Sequence, residues 1–97
     1  MSGYRVEVDP EKAGYSLTAI VRIRQLSGKM KELEALLTSI PQFIECDRVT
    51  GEDCFYGRLC LRDIHELDDI LMNINEIAET STSIVKATPI KRRAAPV

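Results

Sequence analysis

The apolar positions of this chain switch between a period of two and a period of three to four, and the switches divide it into elements. From Tyr15 to Arg24, Leu17, Ala19, Val21 and Ile23 alternate with Thr18, Ile20, Arg22 and Arg24, the pattern of a strand with one buried face. Met30, Leu33, Leu36, Leu37 and Ile40 then recur at helical spacing. Ser27 is expected to cap that helix and Pro41 to end it. Phe43 to Leu61 predicts two strands folded back on each other about Gly51-Glu52-Asp53. Val49-Thr50 and Cys54-Phe55-Tyr56 suit a pleated surface, and Gly51 supplies the positive φ of a tight reversal. Asp63 with Glu66 three residues on predicts a capping box with aspartate in the serine position. It opens a second helix striped by Ile64, Leu67, Ile70, Leu71, Ile74 and Ile77. Thr80-Ser81-Thr82-Ser83 leads into a last strand, Ile84 to Thr88, closed by Pro89. Residues 3–8 alternate Tyr4, Val6 and Val8 with Arg5 and Glu7, a short lead-in strand before Pro10.

Strand, helix, hairpin, helix, strand is the order of an α+β, ferredoxin-like β-α-β-β-α-β fold, a four-stranded antiparallel sheet with two helices on one face. Residues 1–14 form the lead-in, 15–91 the domain and 92–97 a tail. The second face of the sheet is left bare. If Leu17, Val21, Leu59 and Leu61 meet the helices, then Ile20, Ile44, Cys46, Tyr56 and Cys60 face outward among Arg22, Arg48 and Arg58. A mixed apolar face of that size marks an interface, and pairing with a second copy about a two-fold axis is the simplest expectation, giving a dimeric αβ sandwich or barrel.

Composition narrows the partners. A single domain of 97 residues buries only about 60–65% of the surface its unfolded chain exposes, so a partner surface helps it. The net charge of −2 gives no electrostatic reason for this chain itself to bind nucleic acid. No apolar run approaches the roughly 20 residues of a membrane span, and MSGYRVEVDPEK lacks the apolar core of a secretory signal, so the expectation is a cytoplasmic protein. Cys46, Cys54 and Cys60 are odd in number and lack the C-x-x-C spacing of a zinc site, and His65 is the one histidine. The expectation is no metal and no cofactor, with the cysteines acting as small hydrophobes under reducing conditions.

Enzymatic equipment is sparse: there is no glycine-rich phosphate loop and no nucleophile motif. Glu52 and Asp53 at a wet tip have no evident cause for the shifted pKa of an acid–base pair. Phe55-Tyr56-Gly57-Arg58 echoes an RNA-binding strand in the wrong order. Lys29, Lys31, Glu32 and Glu34 lie off the first helix's stripe and read as a wet face, and Lys91-Arg92-Arg93 reads as a frayed terminus. The hairpin tip reads either as a plain solvated turn or as a small-molecule site. Gly51 admits a ligand close to the backbone, the tip N–H groups suit a carboxylate, and Glu52 or Asp53 suits an ammonium group. Hydroxyls at Thr80, Ser81, Thr82 and Ser83 add partners if a neighbouring subunit brings them near. An amino acid matches that set.

Three stretches, GYRVEVDPEKAGYSLTAIVRI, IPQFIECDRVTGEDCFY and ETSTSIVKATPIKRR, resemble the C-terminal effector-binding (RAM, ACT-like) domain of the Lrp/AsnC, or feast/famine, family of transcription regulators, over nearly the whole chain. The resemblance implies a domain that dimerises sheet to sheet, through Ile20, Arg22, Ile44, Cys46, Tyr56, Arg58 and Cys60 here. It implies further assembly to tetramers or octamers, with an amino acid effector held near the hairpin tip by Gly51, Glu52, Asp53, Cys54, Thr80, Ser81 and Thr82. The Gly-x-x-Asp of many members reads Gly51-Glu52-Asp53-Cys54 here. Either Glu52 or Asp53 takes the ammonium contact, or the effector differs, or none binds. Family members begin with a helix-turn-helix domain, for which there is no room before Tyr15, and residues 3–9 resemble the linking strand. The expectation is an isolated effector domain that touches DNA only through the missing part. The alternative is an ACT-like regulatory module or a small dimeric αβ-barrel enzyme.

Overall fold

A computed structural model describes residues 14–51 and 54–96; the lead-in strand expected at residues 3–8, and Glu52 and Asp53 at the hairpin tip, lie outside the described residues. The elements are β1 (Leu17–Gln25), α1 (Met30–Ser39), β2 (Phe43–Arg48), β3 (Cys54–Leu61), α2 (Ile64–Ile74) and β4 (Ala78–Ile84). They form one antiparallel sheet in the order β2-β3-β1-β4, with β1 and β3 at its centre.

The alternation of β1 sets the two faces. Ala19, Val21 and Ile23 are fully buried against Leu33 and Leu37 of α1 and Leu67, Ile70 and Ile74 of α2. Phe55, Leu59 and Leu61 complete that side from β3. Each fully buried aliphatic side chain contributes about 1.5–3 kcal/mol, and these residues form one contiguous core rather than several.

The helix starts differ in kind. At α2 the Asp63 carboxylate accepts from the Glu66 N–H at 2.9 Å, as expected, but Glu66 Oε1 accepts from the N–H of Arg62 at 2.9 Å, one residue earlier than a capping box requires. At α1 the expected Ser27 cap is corrected. Gly28 has φ +77°, which turns the chain so that Lys29 N–H donates to the Leu26 carbonyl; Lys29 becomes the cap residue and no side chain caps the helix.

Two strand expectations are also corrected. The last strand is Ala78–Ile84, not Ile84 to Thr88, so the run of hydroxyl residues is itself strand and not its approach. In β2 the register shifts between Phe43 and Glu45, with Ile44 as the extra residue. A bulge of this kind places two residues opposite one and turns the remainder of the strand over. Glu45 and Asp47 lie opposite Arg58 and Tyr56, while Cys46 and Arg48 lie opposite Gly57 and Phe55, on the helix side.

Gly57 is fixed by its neighbour. A Cβ there would overlap the Phe43 ring, whose Cδ1 would lie 2.7 Å away. Gly57→Ala is therefore expected to displace that ring and destabilise the fold by about 1–3 kcal/mol, the range for overpacking a close contact; a denaturant midpoint equal to that of the unaltered chain would contradict it. No helix among the described residues is long and apolar enough to cross a membrane.

Candidate functional site

The uncovered face of the sheet is built from two rows that the strand pairing defines. One runs Asp47, Tyr56, Arg22, Ser81 across β2, β3, β1 and β4; the other runs Glu45, Arg58, Ile20, Ser83. Each row carries a carboxylate on the β2 edge and a guanidinium on a central strand. The Arg22 guanidinium carbon lies 5.8 Å from the centre of the Tyr56 ring, within reach of a cation–π contact. Tyr56 is 41% exposed in the single chain, more than a buried aromatic would tolerate. A face bearing both signs, an aromatic and an aliphatic residue fits a copy of itself turned about a two-fold axis, acids over bases.

The register brings Ile20, Arg22, Tyr56 and Arg58 together on this face, as expected from the sequence. Ile44 sits at the bulge and is 54% exposed. The outward placement of Cys46, and of Arg48 with it, is corrected because the bulge inverts the strand beyond Ile44. Cys60 lies on the outer face opposite Thr18 but is only 4% exposed, so the single chain already covers it. The path of the chain beyond β4 accounts for its setting: Val85 N–H donates to the Thr18 carbonyl at 2.8 Å and Arg58 Nη2 donates to Thr88 Oγ1 at 3.3 Å. These bonds carry the segment after β4 across β1 towards β3, beside the Cys60 row.

Desolvation raises both described thiols above their ordinary pKa, at Cys60 within a buried site and at Cys46 only through partial shielding of an exposed side chain. At Cys46 the neighbouring Asp47 adds to the shift, and at Cys60 Arg58 and a Thr18 hydrogen bond oppose it. Both are protonated at neutral pH and are poor nucleophiles and poor metal ligands. Among the described residues no group of three or more His, Cys, Asp or Glu side chains is placed to hold a metal.

At the tip, Gly51 has φ +110°, a backbone suited to glycine, with open space around the position of a Cβ. The pairing of Arg24 with both Cys54 and Glu79 shows that the hairpin tip and the start of β4 lie at the same end of the sheet. They are nevertheless on different strands, with β1 between β3 and β4. Alternation also divides the hydroxyls expected to act together. Thr80 and Thr82 face the helices opposite Ile23 and Val21, and Thr80 donates to Asn75 Oδ1 at 2.8 Å, securing the turn before β4; Ser81 lies on the outer face opposite Arg22.

Sequence reasoning missed Glu45 and Asp47, because the bulge that exposes them leaves no periodic signal. It also missed a groove of about 500 Å³ between α1 and β2, walled by Leu37, Thr38, Phe43, Cys46 and Arg48.

These features define a ferredoxin-like α+β domain with an uncovered, charge-patterned sheet face and a glycine-tipped hairpin. The model of the Lrp/AsnC ligand binding domain family matches residues 18–95, and the chain belongs to that family. It is 31% identical over 101 residues to the regulatory protein AsnC of Escherichia coli, covering 99% of this chain and 66% of that protein. The solved structure of E. coli AsnC matches with a TM-score of 0.82, covering 99% of this chain and 68% of that one. The HTH-type transcriptional regulator FL11 of Pyrococcus horikoshii is 29% identical over 84 residues, covering 84% of this chain and 56% of the relative. A feast or famine regulatory protein of M. tuberculosis, solved in complex with L-methionine, matches with 26% identity and a TM-score of 0.82, covering 96% of this chain and 65% of that one. The chain thus spans between about half and two thirds of the curated relatives' length.

Proposed function

We propose that this chain is the amino-acid-sensing and oligomerisation domain of a transcription regulator, pairing with a second copy through the outer sheet face. The observation that carries the reading is that face itself: Asp47 and Glu45 on one edge, Arg22 and Arg58 at the centre, with Tyr56 and Ile20 between them and no helix over them. Membership of a ligand-binding family supports the sensing role. The effector lodges at the glycine-tipped hairpin, where Gly51, Glu52, Asp53 and Cys54 of one copy meet a neighbouring copy that contributes Ser81 and the start of β4. An effector that prefers one assembly shifts the equilibrium by its differential affinity, and a helix-turn-helix domain outside this chain reports the shift on DNA. Catalysis has no place in this reading, since the described thiols are held protonated and His65 is exposed. The protein acts in the cytoplasm and takes no cofactor.

Thermal denaturation with each of the twenty amino acids at millimolar concentration tests the sensing role. At least one is expected to raise the midpoint, methionine being the first to try because a relative has been solved with it. Gly51→Val is expected to remove the shift, because a β-branched residue resists φ +110°. No shift with any of the twenty would leave the oligomerisation role alone standing.

A further inference from the structure

A groove of about 500 Å³ separates α1 from β2. It is closed at one end, where Phe43 N–H donates to the Ile40 carbonyl at 3.2 Å and ties the end of the helix to the start of the strand. Leu37 and Phe55 form its buried floor, while Glu34, Thr38, Cys46 and Arg48 along its rim are exposed. A small molecule seated there would keep much of its surface wet, whereas small-molecule pockets bury about 70–90% of their ligand. The groove also meets residues 43, 44, 45 and 46 in succession. Adjacent side chains of a strand point to opposite faces, so a wall of consecutive residues is the backbone edge of the strand. Among the described residues that edge is free, because β2 is an outermost strand of the sheet and pairs with β3 on one side only. Beyond the bulge at Ile44, Glu45 to Arg48 keep a regular register, and alternate N–H and C=O groups of such a stretch point away from the partner strand.

We infer that the groove takes an extended peptide of another protein, added to the edge of β2 as a further strand. Main-chain hydrogen bonds to that edge hold it, and its alternate side chains drop into the groove. The chemistry of those side chains follows from what faces them. Helix and strand run in opposite directions from their shared end. Glu34 stands six residues before Ile40, about 9 Å of helix. Cys46 stands three residues beyond Phe43, about 10 Å of strand, so the two are level across the groove. The Glu34 carboxylate has no ion pair among the described residues, and Arg48 already has a contact of its own. The helix wall therefore offers an open negative charge next to an apolar closed end formed by Leu37 and Phe43. An antiparallel strand, the more stable pairing, presents a lysine or arginine to Glu34 and, two residues later, an apolar side chain to Leu37 and Phe43. The edge points sideways out of the sheet, so the added strand leaves the outer face to its pairing.

Fluorescence anisotropy of a labelled, capped Thr-Lys-Thr-Val-Thr-Val-Thr peptide, titrated with the full chain, tests the groove. Saturable binding is expected, with a Kd at or below about 1 mM. Methylating every second backbone nitrogen of the peptide is expected to weaken binding at least roughly tenfold in one of the two possible sets and little in the other, since only alternate N–H groups meet β2. Glu34→Lys is expected to weaken the lysine peptide roughly threefold, as an exposed ion pair allows, and to favour a peptide with glutamate in that place. Thr38→Trp fills the groove and is expected to abolish binding. Both positions are exposed on α1, and circular dichroism verifies the fold of each variant. Ile20→Asp, which acts on the outer face, is expected to bind the peptide as the unaltered chain does. No saturable binding, equal loss from both methylated sets, or a Thr38→Trp variant that still binds would overturn the proposal. So would binding seen only in Ile20→Asp, which assigns the edge to a second copy. Displacement of the peptide by free valine or lysine at millimolar concentration would also overturn it and assign the groove to a small molecule.

Discussion

Ile20→Asp is expected to leave a monomer at micromolar concentration, where the unaltered chain sediments with the mass of at least a dimer. Ile20 lies on the central strand β1, between Arg58 of β3 and Ser83 of β4, on the face that no helix covers. It is outside the buried core, so the change spares the folded monomer. In a sheet-to-sheet contact, however, a carboxylate at that point loses its water without gaining a partner shaped for it. Central, desolvated positions of an interface cost about 2 kcal/mol or more when altered, roughly thirtyfold or more in the dissociation constant. Circular dichroism confirms that the fold persists. Arg22→Glu should act on the same contact with a different signature, its effect shrinking as salt rises because part of that residue's contribution is Coulombic. A dimer that survives Ile20→Asp unchanged would show that the outer face is not where two copies meet.

The elements that sequence made legible are those whose signal is local and repetitive. The alternation of Leu17, Ala19, Val21 and Ile23 predicts β1 and its buried side, the structure buries the last three completely, and Leu17 packs against them. Asp63 and Glu66 predict the start of α2 because a cap is a contact between residues three apart. Gly51 predicts the hairpin reversal because few other residues adopt its φ. The features that stayed hidden depend on distant parts of the chain or on a single inserted residue. The extra residue Ile44 inverts β2, so Cys46 and Arg48 turn towards the helices, Glu45 and Asp47 come to the outer face, and an alternation counted through the bulge gives the wrong side for each. The segment after β4 crosses the outer face through bonds to Thr18 and Arg58, residues 67 and 30 positions away, and nothing in its own composition announces that path. Thr80 and Thr82 group with Ser81 as candidate site hydroxyls when only residue type is read, because type alone carries no facing. Counted from Ala78, they belong to the helix side, and only Ser81 of the three shares the outer face with Arg22.

Ile23→Ala is expected to have the largest effect on stability. Ile23 is fully buried on the central strand, between Phe55 of β3 and Thr80 of β4, and beneath both helices. Its truncation removes three carbons from a site whose walls, two ladders of hydrogen-bonded backbone, cannot close on the space. The cost is about 2–5 kcal/mol, against a total of roughly 5–15 kcal/mol for a small domain. At ~4–8 °C per kcal/mol, the thermal midpoint falls by on the order of 10–30 °C. Asn73→Ala on the exposed side of α2 is the matched control and should stay within about 0.5 kcal/mol of the unaltered chain. Folding and pairing are linked here in a measurable way. If two folded copies bind each other and unfolded ones do not, the midpoint of Ile23→Ala rises with protein concentration by mass action. Adding Ile20→Asp to Ile23→Ala then removes that dependence, because the doubly altered chain keeps its damaged core and loses the partner that compensates for it. A midpoint that stays independent of concentration in Ile23→Ala alone would show that the uncovered face contributes nothing to stability and that the core of one chain carries it all.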